Sequence, residues 1–327
     1  MDTPLVFALN ASRDFGEAVA INLGSPLAQH EEREFEGGEH KARPLEEVSG
    51  RDVYVIHSLH GDARASANDK LVRLLFFIGA LKDAGARSVT ATAPYLAYSR
   101  KDRRTKPRDP VSSRYIAALF EAVATDRLIT LEVHNISAFE NAFRKCRTQH
   151  LSLARIFAED LAARVADEAV AVVSPDAGGN KRAELFRHEL EHMLGRPVGK
   201  AIMDKHRSEG VVSGELFAGE IAGCTALIID DIISSGTTIM RACAAARSGK
   251  AQRVIAIAAH AMVTPGAPIF NDDGPDEIIV SDSIPLAEKL ADHEHAKLRV
   301  ITAAPLVADV IMRFNTGEPV SELLPYD

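Results

Sequence analysis

The sequence contains little cysteine and no long apolar run. Its three cysteines, Cys146, Cys224 and Cys243, are odd in number and widely separated. Their spacing matches neither a zinc motif nor a disulfide framework and indicates a reducing, cytoplasmic environment. No apolar run approaches the ~18 residues that a membrane-spanning helix needs. The opening MDTPLVFALN also lacks the basic segment of a secretory signal, so we expect no membrane partner.

The chain likewise lacks an excess of positive charge. Its formal net charge is −8, which argues against general nucleic-acid binding and requires any anion site to be a local basic cluster. The length of 327 residues suits two domains of ordinary size. The apolar share of 46% and the charged share of 26% are those of a globular protein.

The rest of the chain is organised around one stretch, TALIIDDIISSGTTIMRACAAAR. Residues 225–229 are apolar and β-branched and predict a buried parallel strand. Two carboxylates, Asp230 and Asp231, follow, and helical spacing begins at Ile239. Between them lies a loop of small residues: Ser234, Ser235, Gly236, Thr237 and Thr238. A strand, loop and helix in this order direct free backbone N–H groups and a positive helix end toward a bound anion.

The paired carboxylates restrict what this anion can be, because carboxylates repel phosphate. They suit a ligand that carries phosphate at one end and a diol or a metal at the other. A phosphorylated sugar meets this requirement. The alternative, an exposed turn between a core strand and a helix, stays open from the loop alone.

Strand-like and helix-like patterns alternate along the whole chain. The predicted strands are 5–9, 52–57, 88–93, 128–133, 169–173, 201–203, 225–229, 254–259, 277–280 and 298–301. The predicted helices include 14–23, a long one that Ser66 opens, 152–165, one near Leu286, and 306–314. This rhythm predicts two doubly wound α/β domains.

The most basic stretch follows the third predicted strand and reads PYLAYSRKDRRTKPRDPVSS. Its cations are Arg100, Lys101, Arg103, Arg104, Lys106 and Arg108. Two prolines exclude a helix here, and Ser112 or Ser113 is expected to cap the helix that follows. This stretch has three interpretations: a solvated loop, an RNA-binding patch and a clamp for a small anion. Its position at a strand end and the acidity of the remaining chain favour the clamp.

Three further positions are candidates for a site. His134 ends a predicted strand, where ligands bind in α/β proteins, although a lone histidine is more often structural. Asp176 precedes Gly178 and Gly179, a turn that can place a metal beside phosphate oxygens. Lys205 and Arg207 lie in a polar segment that we expect to be mobile, and by themselves they are more typical of a surface loop than of a site.

Several of these motifs occur together in one known family. The chain carries FALNASRDFGEAVAINLG, GRDVYVIHS, NDKLVRLLFFIGALKDAGARSVTATAPYLAYSRKDRR, VVSPDAGGNKRA and LIIDDIISSGTT in this order. In this it resembles the ribose-phosphate pyrophosphokinases, which make phosphoribosyl pyrophosphate (PRPP), almost from end to end. The resemblance implies an α/β fold of two phosphoribosyltransferase-type (Rossmann-like) domains, each a mostly parallel sheet flanked by helices. The expected domains are 1–147, joined by 309–327, and 148–308, which contains the ribose-phosphate loop.

The resemblance also implies a role for each candidate residue. Asp230 and Asp231 would hold the ribose hydroxyls, and the loop from Ser234 to Thr238 would hold the 5-phosphate. His134 and Asp176 would bind or position the Mg²⁺ that accompanies ATP. The catalytic cations would be Lys205 and Arg207. The expected ATP-binding residues are Phe35, Glu39, Arg100, Lys101 and Asp102, of which the first two would reach the adenine of a neighbouring subunit.

The implied activity is transfer of a pyrophosphoryl group from ATP to ribose 5-phosphate by a cytoplasmic homo-oligomer, a dimer or a hexamer. Two other activities stay open: a catalytically weak regulatory subunit of the same fold, and a phosphoribosyltransferase that consumes PRPP. Ser234 stands where the family usually has Asp, and the C-terminal GEPVSELL differs from the family's serine-bearing tail. From these differences we expect neither phosphate activation nor ADP inhibition of the usual kind.

Overall fold

The computed structural model describes residues 3–208, 211–287 and 290–323, with the backbone alone for 204–208 and 211–217. The chain divides into two compact units. Unit 1 is Met1–Ser152 together with Ala304–Asp327, and unit 2 is Leu153–Ala303. The functional domain limits expected from the sequence, 1–147 with 309–327 and 148–308, stay predictions.

Unit 1 is built on a parallel sheet of five strands in the order β1-β4-β5-β6-β7. These strands are β1 (Leu5–Ala8), β4 (Asp52–Ile56), β5 (Ser88–Ala93), β6 (Arg127–Leu131) and β7 (Arg147–Leu151). The helices of unit 1 are α1 (Arg13–Leu23), α2 (Ala67–Asp83), α3 (Ser112–Ala122), α4 (Ile136–Ala142) and α9 (Ala304–Thr316). Apolar side chains of β1, β4, β5, α2 and α3 form one buried cluster.

Local sequence accounts for the start of α2 but not for the start of α3. Ser66 caps α2 as expected: its hydroxyl accepts from the Asp69 N–H, and the Asp69 carboxylate accepts from the Ser66 N–H. The predicted cap of α3 is wrong. Its N-cap is Val111 without a side-chain cap bond, and Ser112 is already helical. Strand β6 ends at Leu131, two residues earlier than expected, because Glu132 adopts a φ of 38°.

A short antiparallel hairpin in unit 1 is absent from the sequence-based prediction. Its strands are β2 (His30–Glu34) and β3 (His40–Pro44). Glu32 holds it to the unit, since its carboxylate accepts from His30 Nε2 and His40 Nε2 at 2.9 Å and from the Asn10 N–H at 2.5 Å. Burial opposes ionisation of Glu32, but these hydrogen bonds outweigh it and lower its pKa to about 2.

Unit 2 contains a sheet of seven strands in the order β10-β9-β8-β11-β12-β13-β14, parallel except for the β9–β10 pair. The strands are β8 (Val170–Ser174), β9 (Gly199–Ser208), β10 (Val211–Ala218), β11 (Thr225–Ile233), β12 (Arg253–Ala261), β13 (Glu277–Ser281) and β14 (Leu298–Ile301). Its helices are α5 (Ala154–Ala162), α6 (Asn180–Leu194), α7 (Thr237–Ser248) and α8 (Asp292–Lys297). These sheets and helices are those of an α/β fold.

Unit 2 corrects two sequence-based predictions. The helix expected near Leu286 begins instead at Asp292, where the Glu294 carboxylate accepts from the Ala291 N–H at 2.7 Å. The strand expected over 201–203 extends over Gly199–Ser208 and forms a hairpin with β10. Polar sequence in 204–208 concealed this strand, because its pairing partner comes from the following segment.

Within the described ranges, no helix combines the length and the apolar composition needed to cross a membrane.

Candidate active site

The sheet of unit 2 reverses its direction of winding between β8 and β11. From β8 the chain passes through α6 to β9 on one side, whereas β11 passes through α7 to β12 on the other. Right-handed crossovers in opposite directions place α6 and α7 on opposite faces and leave a crevice at the carboxyl ends of β8 and β11. Ligands of open α/β sheets bind in such a crevice. Asp176 follows β8. The stretch from Asp230 to Gly236 contains the end of β11 and the residues directly after it.

Two adjacent carboxylates lie near the end of β11. The strand runs to Ile233, so Asp230 and Asp231 lie within it and not after it as expected. Continued pairing with β12 explains the extra length, since Asp230 lies opposite Ala258 and Ile233 opposite Ala261. The Asp230 side chain is 19% exposed and that of Asp231 is 5% exposed. The pair is therefore almost enclosed by protein.

An arginine that the sequence-based prediction overlooked accompanies the carboxylates. Arg182 of α6 places its Nη1 atom 3.7 Å from Asp230 Oδ1 and 3.7 Å from Asp231 Oδ1. The quoted motif VVSPDAGGNKRA contains this residue, but spacing along the chain does not indicate which carboxylate it meets. The contact depends on α6 packing beside β11.

The environment of Asp230 raises its pKa from 3.8 to about 7. Burial is the largest cause, and the neighbouring Asp231 adds to it by hydrogen bonding and by charge repulsion. The positive charge of Arg182 acts in the opposite direction. Carboxyl groups with a pKa raised by burial and by a second carboxylate are typical of functional sites.

A tight loop connects β11 to α7. Gly236 is the N-cap of α7 with a φ of 75°, a left-handed conformation that glycine adopts without strain. Helical structure begins at Thr237, two residues before the expected start at Ile239. Among the described residues no side chain caps this helix, and the hydroxyls of Ser235 and Thr237 lie 3.1 Å apart at the exposed surface. The first N–H groups of α7 and the hydroxyls of the loop are thus donors of the kind that bind anions at a helix N-terminus.

The turn after β8 supplies a further carboxylate at the same edge of the sheet. Asp176 Oδ1 accepts from the Gly179 N–H at 2.9 Å, and Ser174 Oγ donates to the Asp176 carbonyl at 2.7 Å. A Cβ atom at Gly178 would come within 3.2 Å of Asp176 Oδ1. Glycine therefore keeps this side of the carboxylate open. Among the residues whose side chains are described, no three His, Cys, Asp or Glu side chains form a ready metal cluster.

The two expected catalytic cations lie in β9. In the register of the β9–β10 hairpin, Lys205 is opposite Glu215 and Arg207 is opposite Val212. The segment is thus an extended strand and not the irregular loop expected from the sequence. The side chains of both residues lie outside the part of the chain that the structure describes.

In unit 1 the expected nucleotide residues follow β5. Arg100 is exposed, whereas Lys101 and Asp102 are half-buried. Lys101 Nζ donates to Asp109 Oδ2 at 2.8 Å, and the same oxygen accepts from the N–H groups of Thr105 and Lys106 at 3.0 Å. The hydrogen bonds from Lys101 and Thr105 hold the pKa of Asp109 well below its usual range. Asp109 thus organises the basic loop, a role that spacing in the sequence does not reveal.

His134 and Asp102 lie at neighbouring strand ends of unit 1. The amide of Asn135 donates from Nδ2 to Asp102 Oδ2 at 2.6 Å, which connects the loop after β6 to the loop after β5. His134, the preceding residue, is exposed. These two expected site residues are thus brought to the same edge of the sheet.

Phe35 and Glu39 lie at the tip of the β2–β3 hairpin. The Phe35 N–H donates to the Glu39 carbonyl at 2.8 Å. Phe35 is 41% exposed, and the Arg33 guanidinium lies 5.0 Å from the centroid of its ring. The hairpin presents an aromatic face and a carboxylate at the surface of unit 1.

Comparison with known proteins agrees with this geometry. The family model for the N-terminal domain of ribose phosphate pyrophosphokinase matches residues 5–123, and the model for the phosphoribosyl synthetase-associated domain matches residues 207–325. The ribose-phosphate pyrophosphokinase of Granulibacter bethesdensis is 32% identical over 326 residues, which cover 97% of this chain and 99% of the relative. That of Caldanaerobacter subterraneus is 32% identical over 322 residues, covering 97% and 96%.

The crystal structure of the phosphoribosylpyrophosphate synthetase from Mycobacterium smegmatis superposes on this chain with a TM-score of 0.84 at 28% identity. The alignment covers 97% of this chain and all of that one. These matches confirm the family and the fold class predicted from the motifs, including the two phosphoribosyltransferase-type domains. The chain therefore belongs to the ribose-phosphate pyrophosphokinase family of diphosphate-transferring enzymes.

Proposed function

We propose that this chain transfers the β,γ-pyrophosphoryl group of ATP to the 1-hydroxyl of ribose 5-phosphate in a Mg²⁺-dependent reaction that yields PRPP and AMP. One observation carries the proposal: an enclosed carboxylate pair at the end of β11 lies directly before the open N-terminus of α7. A sugar that bears both hydroxyls and a phosphate matches this combination of acceptors and donors.

In this proposal the pentose phosphate binds to unit 2. Asp230 and Asp231 accept hydrogen bonds from the ribose hydroxyls, because ionised carboxylates are strong acceptors. The 5-phosphate binds to the loop formed by Ser234, Ser235, Gly236, Thr237 and Thr238. There it accepts from the first N–H groups of α7 and from the loop hydroxyls. Membership of the family and the left-handed Gly236 support this assignment.

The nucleotide-binding residues belong to unit 1. Arg100 and Lys101 neutralise phosphate charge, and Asp102 is oriented by the amide of Asn135. Phe35 and Glu39 contact the adenine of a nucleotide bound to a neighbouring subunit, a role that requires a homo-oligomer. The exposure of the hairpin tip is consistent with this requirement.

The residues present fit Mg²⁺ bound to ATP. Mg²⁺ prefers oxygen ligands, keeps several waters and is bound in kinase sites by one or two protein groups plus substrate phosphates. Asp176 offers a carboxylate whose open side is preserved by Gly178, and His134 is an exposed imidazole. Each of these residues would bind or position Mg²⁺, which supplies charge neutralisation to the triphosphate when bound.

Transfer requires alignment and charge neutralisation more than covalent chemistry by the protein. The oxygen of the ribose 1-hydroxyl forms a bond to the β-phosphorus. The bond from that phosphorus to the oxygen bridging it to the α-phosphorus breaks, AMP leaves with the bonding electrons, and the hydroxyl proton is released. Lys205 and Arg207 of β9 neutralise charge that develops on the β-phosphate.

The test is AMP release from ATP, Mg²⁺ and ribose 5-phosphate, measured by chromatography with and without inorganic phosphate. Ribose that lacks the 5-phosphate is the control substrate. With ATP, Mg²⁺ and ribose 5-phosphate, we expect AMP release even when no inorganic phosphate is added. No AMP under any condition, with ribose 5-phosphate still bound, would identify a regulatory subunit. Consumption of PRPP with a nucleobase would identify a phosphoribosyltransferase.

A further inference from the structure

Arg182 is a cation in an unfavourable place on its own helix. It is the third residue of α6, which begins at Asn180 after the N-cap Gly179. The N-terminus of a helix carries a partial positive charge, so cations are disfavoured in its first turn. The helix itself therefore does not explain a positive charge at this position. The side chain is only 13% exposed, so solvation does not explain it either.

The charge of Arg182 is directed at the carboxylate pair. Its Nη1 atom is equidistant from Asp230 Oδ1 and Asp231 Oδ1, at 3.7 Å from each. A bidentate arginine–carboxylate pair has shorter distances, about 2.7–2.9 Å. The guanidinium thus neutralises both carboxylates electrostatically without forming that tight bidentate pair with either one.

We infer that Arg182 is a positioning residue for the pentose, which orients Asp230 and Asp231 and favours their ionised forms, so that both accept hydrogen bonds from a vicinal diol. The inference rests on the proposed function and names a residue for which the motif comparison assigned no role. Arg182 acts through the two carboxylates and contacts neither the nucleotide nor the reacting phosphorus in this account.

The ionisation of Asp230 explains why the carboxylate pair needs the positive charge of Arg182. Asp230 is faced by Asp231 from its own strand and by Arg182 from α6, and among the residues whose side chains are described these two charged groups influence its ionisation. Burial, followed by the hydrogen bond and the charge repulsion from Asp231, raises the pKa of Asp230 to about 7 against the effect of Arg182. Removal of the cation would raise this pKa further. A protonated Asp230 would then lose acceptor capacity at neutral pH.

The experiment compares Arg182→Gln, Arg182→Lys and the control Arg187→Gln. Arg187 lies on the same helix with a similarly buried side chain, but it pairs with Glu184 and Glu191. Steady-state kinetics are measured for each substrate across the pH range in which Asp230 titrates. We expect Arg182→Gln to raise KM for ribose 5-phosphate about tenfold or more, the loss typical of one hydrogen bond to a charged group.

Three readouts separate positioning from a purely structural role. The acidic limb of the pH profile of kcat/KM for the pentose should move to higher pH by about one unit in Arg182→Gln. Arg182→Lys should restore part of this shift because it restores the charge. KM for ATP should stay at the wild-type value in Arg182→Gln, as in the control Arg187→Gln. Equal losses for both substrates with an unchanged pH profile would overturn the inference.

The same variants distinguish this inference from the proposed function. If the wild-type chain releases no AMP, its binding of ribose 5-phosphate is measured by titration calorimetry. Weaker binding by Arg182→Gln than by Arg187→Gln would then support the inference although the proposed activity had failed. Equal affinities, or no binding by the wild-type chain, would overturn it.

Discussion

Replacing Asp230 by asparagine should make the protein more stable and less active. The pKa of Asp230 is raised from 3.8 to about 7 by burial and by the adjacent Asp231. At pH 8 the folded protein must therefore hold an ionised carboxylate in an environment that disfavours it. Asparagine has nearly the same shape and no charge to ionise. Residues that cost stability and supply function are characteristic of active sites.

The sign of the effect follows from the raised pKa. A group with a raised folded-state pKa contributes stability that is fully present below about pH 4 and is lost as the pH rises through about 7. One pKa unit corresponds to about 1.4 kcal/mol, so the shift sets an upper limit of about 4 kcal/mol. Local rearrangement reduces this value, and we expect Asp230→Asn to raise the free energy of unfolding by about 2 kcal/mol at pH 8.

The same substitution should weaken recognition of the pentose. Asparagine offers an amide oxygen in place of a carboxylate that accepts from ribose hydroxyls. A hydrogen bond to a charged group contributes about 1.5–3 kcal/mol. We therefore expect kcat/KM for ribose 5-phosphate to fall by roughly ten- to 150-fold.

Urea unfolding followed by circular dichroism at pH 5 and pH 8 measures the stability change, because the sequence contains no tryptophan for fluorescence. Asp272→Asn, at an exposed carboxylate after β12, is the matched control. The stability gain of Asp230→Asn should be clearly smaller at pH 5 than at pH 8. A variant that is less stable than the wild type at both pH values would refute the reasoning about the carboxylate pair.

Three further outcomes are expected from single substitutions. Lys205→Ala should reduce turnover by orders of magnitude and leave folding and ATP binding intact. The control Lys200→Ala, in the same strand, should keep its turnover. Wild-type turnover in Lys205→Ala would exclude the catalytic role of Lys205. Asp109→Asn should release Lys101 and raise KM for ATP by about tenfold, and an unchanged KM would show that the ordered loop is not needed for the nucleotide. Glu32→Gln should lower the free energy of unfolding by about 2 kcal/mol at pH 7. The lowered pKa of Glu32 contributes stability above pH 4.5, and this stability is lost as the pH falls toward about 2. Denaturation at pH 7 and pH 3 tests this, and an equal loss at both pH values would contradict it.

The sequence predicted the elements whose signals are local. Strand β5 occupies Ser88–Ala93 and β14 occupies Leu298–Ile301, as expected, because short runs with β-branched residues bounded by turn residues favour strands. Ser66 and Asp69 encode the start of α2 within four consecutive residues. Elements defined by pairing were missed or shortened. The β2–β3 hairpin and the end of β9 are polar in sequence and become strands through their partners.

The residues of the candidate site likewise fall into those with a local sequence signal and those that tertiary contacts bring together. The sequence by itself identified the carboxylates of β11, the hydroxyl-rich loop and the family, since these depend on residues close together in one ordered motif. Only the tertiary structure decided that β11 continues through the carboxylates and that Arg182, 48 residues before Asp230, meets both of them. Strand order and helix packing are set by contacts between distant segments, and spacing along the chain does not encode them.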